Sequence, residues 1–152
     1  MCLKVNEPST KKWIAEHKDD EKVTVWKVIH SDVFLSGEPY VNSIHMSYSW
    51  QVGINYPREP YAHIEDSWYG YREVYGGAFH AYLTRESAEY NKPKTGSYFI
   101  IRLEANPDDL VAIGDSEDCR YATQGAFRQL TFTQEAYQEL IDAKQAAAYT
   151  VD

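Results

Sequence analysis

The chain has 152 residues, 43% of them hydrophobic and 25% charged, which is one ordinary domain with enough apolar side chain for a core; wholesale disorder and a two-domain enzyme are both excluded. Fifteen Lys and Arg against 23 Asp and Glu leave a formal charge of −8, with no basic patch to offset it, so direct binding of nucleic acid is not expected. No apolar run reaches the length of a signal segment or a membrane span, and Cys2 and Cys119 are too few for a disulfide framework, so a cytoplasmic setting away from membranes is expected.

Residues 1–21 read as an N-terminal helical arm. Ser9 and Thr10 precede a short helix over 11–17 in which Trp13, Ile14 and His17 share a face, and Asp19-Asp20-Glu21 closes it. Residues 22–30 carry Val23, Val25, Trp26, Val28 and Ile29, a β-branched and aromatic run apolar on both faces and therefore a central strand. Residues 40–75 form an aromatic-rich loop region, with Tyr40, Tyr48, Trp50, Tyr56, Tyr61, Trp68, Tyr69, Tyr71 and Tyr75 set among Pro, Gly and acids. Ile44, Met46, Tyr48 and Trp50 recur at period two, so 43–50 reads as a strand and 51–70 mostly as loop. Those aromatics either bury their rings beneath the loop or face a ligand.

Gly76-Gly77 opens a strand over 78–83, with Phe79, Ala81 and Leu83 on one face and His80 and Tyr82 on the other. Thr84 then caps a helix over 85–90, whose first turn holds the favourable Glu86. Residues 97–104 form a strand, the Asn106-Pro107-Asp108-Asp109 turn leads into another at 110–113, 114–125 is polar and acidic, and 127–132 alternates again. Thr133 starts a last helix lined by Tyr137, Leu140, Ile141 and Lys144. The order predicts an α+β single domain over 1–152, with a central mixed or antiparallel sheet and short flanking helices.

Strong chemical signatures are missing. The chain has no phosphate loop, no GxGxxG, no HExxH and no CxxC, and His63-Ile64-Glu65 has no Pro-Cys-x-x-Cys to complete a deaminase zinc site. The five histidines are scattered singly, so no metal site is expected.

One constellation stands out: the strand Gly77-Ala78-Phe79-His80-Ala81-Tyr82 feeding Thr84-Arg85-Glu86-Ser87-Ala88-Glu89-Tyr90 through a Thr cap. It resembles the segment of ADP-ribosyltransferase-fold proteins in which a Gly, an aromatic strand and a Ser-Ala-x-Tyr helix line the NAD pocket. The resemblance implies an ADP-ribosyltransferase-like fold and NAD as cofactor, with His30, at the end of the early strand, and Tyr90 as catalytic residues. It implies a late-strand acid as well, for which Glu117 is taken, with Asp118 and Gln124 as the other positions open to it. Ser31, where the family has Gly, and Phe79, His80, Tyr82, Arg85, Ser87 and Arg102 fall to cofactor binding. Cleaving a nicotinamide–ribose bond passes through an oxocarbenium-like species and needs an aromatic shelf, a donor to the ribose hydroxyls and a stabilising carboxylate. The plainer reading is that His30 ends a strand and Tyr90 packs on the sheet. Arg102, on an otherwise apolar strand, calls for a carboxylate or a phosphate: same-faced Glu104 is its ordinary partner, and with Arg85 it would hold a pyrophosphate.

The pieces Lys27-Val28-Ile29, Trp50-Gln51-Val52-Gly53, 78–88 and Asp109-Leu110-Val111-Ala112 are also similar to short phage and prophage proteins carrying Gly-[Phe/Ile]-His-x-[Phe/Tyr]-x-[Ser/Thr]-Arg-Glu-x-Ala. That resemblance implies a protein of the host cytoplasm that blunts host defence. Three functions follow as expectations: mono-ADP-ribosyl transfer from NAD to a host protein, sequestration of a nucleotide messenger without catalysis, or inhibition of a host factor through the aromatic loop and acidic edge.

Overall fold

The computed structural model describes residues 3–30, 41–43, 49–58, 61–67, 70–94, 98–116 and 123–149. Within them the chain runs β1 (Leu3–Val5), α1 (Glu7–His17), β2 (Val23–His30), β3 (Val41–Ser43), β4 (Ser49–Trp50), β5 (Gly53–Asn55), β6 (His63–Asp66), β7 (Arg72–Tyr75), β8 (Phe79–Tyr82), α2 (Arg85–Asn91), β9 (Tyr98–Ala105), β10 (Leu110–Ser116), β11 (Thr123–Phe127), β12 (Leu130–Phe132) and α3 (Gln134–Tyr149). Among the described residues the strands make one sheet, in the order β5, β12, β9, β2, β8, β11, β10, β1, β7, β6, with β3 on β2 and β4 on β3. Every pairing is antiparallel. The class is therefore α+β with an antiparallel sheet.

Register assigns each strand residue to a face. Val25 lies opposite Leu103, Ile29 opposite Phe99, Gly125 opposite Ala81 and Phe127 opposite Phe79; these side chains share one face and join Trp13 of α1 and Ala136 and Leu140 of α3 in the main core. The other face carries Trp26, Val28, Tyr82, His80, Gln124, Ala126 and Ala112. Part of it is covered by α2, whose Ala88 meets Val28 and Tyr82. β2 is apolar on both sides because both of its faces are packed.

The expected N-terminal arm is part of the sheet and of the core. β1 lies between β10 and β7, and Trp13 is buried with its ring 6.0 Å from that of Phe127. The cap of α1 is Asn6, whose Oδ1 accepts from Ser9 N at 3.0 Å, rather than Ser9 or Thr10; Pro8 in the first turn suits this earlier start. Thr10 instead stitches the helix to β10, accepting from Ile113 N at 3.0 Å. Ile14, expected inward, is exposed. The stretch 51–70, expected as loop, contains β5 and β6, and the run at 127–132 breaks at Arg128, whose N–H donates to Asp109 O at 2.8 Å, so two strands stand where one was expected. Of the strand expected over 43–50, the ends fall in β3 and β4, and 44–48 lies outside the described residues.

Candidate functional site

α2 begins as the sequence demands. Thr84 Oγ1 accepts from Ser87 N at 3.1 Å and donates to Ser87 Oγ at 2.9 Å, so Ser87, expected to bind cofactor, is taken up by the cap. Ala88 points to the sheet. Tyr90 follows two residues on, about 200° round the helix, and is 72% exposed, which removes the reading that it packs on the sheet. His30 ends β2 on the face that α2 covers, and its ring stands edge-on to Tyr98 with centroids 4.9 Å apart. Among the described residues no ring contact joins His30 to Tyr90. Ser31, Glu117 and Asp118 lie outside the described residues, as do Tyr40, Tyr48, Trp68, Tyr69, Cys2 and Cys119.

The two arginines expected on phosphate are engaged elsewhere. Arg102 forks onto Glu139 of α3, with Nη2 at 3.0 Å and Nε at 3.3 Å; that hydrogen bonding raises its pKa above the ordinary arginine value. Glu104, the expected partner, sits 3.4 Å from Lys22 instead. Arg85 lies 3.7 Å from Glu89, one turn along α2. Phe79, also expected on the cofactor, faces the main core, its ring 4.6 Å from that of Trp50. The alternation of β8 forces this, because Phe79 and His80 cannot share a face.

His80 and Tyr82 do lie together, as the alternation predicts, on the face opposite Phe79. Ala126 stands opposite His80 and Gln124 opposite Tyr82, which puts Gln124 on the diagonal from His80, a spacing of about 7–8 Å in an antiparallel pair. Ala112 pairs with Ala126, and Gly114 with Gln124, so the neighbouring positions are small. Trp26, paired with Tyr82, borders the group on the β2 side. The result is a short polar row flanked by two aromatic rings, with Ala112 and Ala126 beside it fully buried in a cluster with Leu3, Val74 and Ala78.

Two properties mark this row. Burial, aided by the positive charge of Lys27, lowers the His80 pKa from 6.5 to about 4, so the ring is neutral at physiological pH and offers one donor and one acceptor. Its backbone carbonyl accepts from Lys27 Nζ at 2.6 Å. Gln124 is only 5% exposed, and its amide makes no hydrogen bond among the described residues. Asn55, 2% exposed, shows what a structural buried amide does: it accepts from Gln51 N at 3.0 Å and donates to Gln51 O at 2.8 Å and Gly53 O at 3.0 Å.

Gln124 entered the sequence reading only as one position for a missing acid. The signal for its other role was available: an amide alternating with Ala126 on a strand between small and aromatic residues is a polar group at an inward position. His63 binds locally to Tyr61 O at 3.0 Å and Glu65 Oε1 at 2.9 Å and is exposed; its pKa is raised, chiefly by the backbone bond. Among the described residues no His, Cys, Asp and Glu cluster has the makings of a metal site, and no helix is long and apolar enough to cross a membrane. Set against known family models, curated proteins and solved structures, the chain matches none.

Proposed function

We propose that the protein holds a nucleotide ligand without transforming it, the heterocycle lying over the face made by His80, Tyr82 and Gln124. Gln124 carries this reading. Gln124 is mostly buried, and its amide, with no hydrogen bond among the described residues, still reaches water, so a ligand edge can take that water's place; the neutral His80 imidazole on the same face of the sheet offers one donor and one acceptor beside it. A planar heterocycle with adjacent donor and acceptor atoms satisfies both. Trp26, half-buried beside Tyr82, supplies aromatic surface, where stacking is worth about 1–3 kcal/mol per base.

The same residue favours sequestration over transfer. Gln124 is one of the positions open to the late-strand acid of the transferase resemblance, and an amide carries no charge to set against an oxocarbenium-like centre. With the resemblance to phage proteins, the reading is removal of a nucleotide messenger or an NAD-related compound from a host defence response.

The test is chemical. Protein purified from expressing cells is heat-denatured and the released small molecules are identified by mass, while melting is followed with NAD, ADP-ribose and cyclic nucleotides. Sequestration predicts an intact ligand and a raised melting temperature with at least one of these. Gln124→Leu should abolish that shift while the ligand-free protein still melts cooperatively. Release of nicotinamide, or label passing from NAD to a host protein, would decide for the transferase. No ligand and no shift with any of them ends the nucleotide reading.

A further inference from the structure

The sheet has one long edge blunted by charge and one that is not, and we infer that the protein pairs with a second copy of itself through the uncharged edge, β5 against β5, antiparallel about a two-fold axis. Among the described residues β5 pairs only with β12 and β6 only with β7, so each ends the sheet with an outer backbone edge that a further strand can join. β4, at the end of the side branch, is only two residues long and its Trp50 is fully buried.

Side chains separate the two ends. Along β6, His63, Glu65 and Asp66 are exposed, and a copy meeting that strand would set carboxylate against carboxylate. The run Gln51-Val52-Gly53-Ile54-Asn55-Tyr56 holds no group charged at neutral pH, in a chain whose formal charge is −8. Two acidic copies therefore approach with least repulsion there. Asn55 faces inward, opposite Leu130, which turns Ile54 and Tyr56 to the other face, where they are 56% and 58% exposed. Two-fold pairing sets Ile54 and Tyr56 of one strand beside the same two residues of the other, and β-branched with aromatic neighbours is a favourable cross-strand combination. Such a contact closes on itself, so association stops at a dimer. β5 is three residues long, and an interface this small belongs to the weak, transient class.

Sedimentation equilibrium from about 10 µM to about 1 mM, with hydrogen exchange at both ends of that range, tests the pairing. The expected result is a monomer–dimer equilibrium with a dissociation constant of roughly 0.1 mM, the scale of a small interface. Raising NaCl from about 50 to about 500 mM should tighten it severalfold, because salt screens the repulsion between two acidic copies. Amide protection at 54–56 should rise with concentration while that at 63–66 stays constant. Ile54→Lys and, separately, Tyr56→Lys should each weaken dimerisation tenfold or more, since the two-fold brings the new charge against its own copy. Ile14→Lys, at a comparably exposed apolar position on α1, should not weaken it beyond twofold. A monomer throughout the range overturns the inference. So does a dimer that Ile54→Lys leaves intact, concentration-dependent protection confined to other strands, or growth beyond a dimer.

Discussion

Asn55 and Gln124 have the same functional group one methylene apart, and the fold uses them in opposite ways. Asn55 closes its own turn with three hydrogen bonds and is structural; Gln124, almost as buried, makes no hydrogen bond among the described residues and leaves its amide to water. His80 tells a similar story through its proton. Its pKa of about 4 lies below the unfolded value of 6.5, so above pH 6.5 both states are neutral and the group has no effect on stability. As pH falls below that, the unfolded chain takes up a proton that the folded chain refuses, and stability drops by about 1.4 kcal/mol per unit. The loss levels off below about 4, where the folded ring titrates too. Denaturant melts of the native protein and of His80→Gln should therefore diverge by about 2 kcal/mol between pH 7 and pH 5; parallel curves would show that His80 is not desolvated. The alternation of β8 made His80 and Tyr82 legible in advance. The burial of Gln124 was not, because it depends on β8 and β10 lying on either side of β11.

At the level of elements, legibility followed length and caps. β2, β9, α2 and α3 all carry strong periodicity or a Ser/Thr-type cap, and each was expected within a few residues of where it lies. β1, β5, β6 and β7 are three or four residues long, too short to show a period, and exist because a neighbouring strand supplies their hydrogen bonds. The start of α1 was misplaced for a local reason: Ser9 and Thr10 have cap chemistry, but Asn6 ahead of Pro8 captures the free N–H of Ser9 first. Asn6→Ala should destabilise the protein by about 1 kcal/mol, and Ser9→Ala should have almost no effect; equal losses in equilibrium unfolding would return the cap to Ser9. Thr84 makes the matching contact on α2, which fixes Ala88 inward and Tyr90 outward.

Across the whole molecule, the first strand attaches the β6–β7 pair to the rest of the sheet. β1 joins β10 to β7, and through β7 to β6, so Leu3 bridges the small cluster with Val74 and Ala112 beneath the edge of the candidate site. β1 approaches so closely that a Cβ on Gly114 would collide with the Lys4 carbonyl. Backbone cannot yield as a side-chain tip can, so Gly114→Ala should cost about 3 kcal/mol or more, in the range of severe overpacking. Hydrogen exchange should show the loss concentrated in β1, β6 and β7; protection unchanged there would place the strain elsewhere. The Arg102–Glu139 fork, linking β9 to the last helix across 37 residues, is likewise a product of the assembled sheet, and it takes Arg102 away from the phosphate role its sequence position suggested.

By itself the amino-acid sequence determined the α+β class, the acidic surface, the central strand at 23–30, the capped helix after Thr84, and the separation of Phe79 from His80 and Tyr82. All of these follow from periodicities and caps that act within about eight residues of chain. Only the tertiary structure decided that β1 enters the sheet, that Phe79 and Arg102 serve the core and an ion pair, that Tyr90 turns outward, and that Gln124 joins His80 on one face. Those outcomes depend on which strands lie side by side and in what register, and no local pattern encodes a pairing between residues 40 or 100 positions apart.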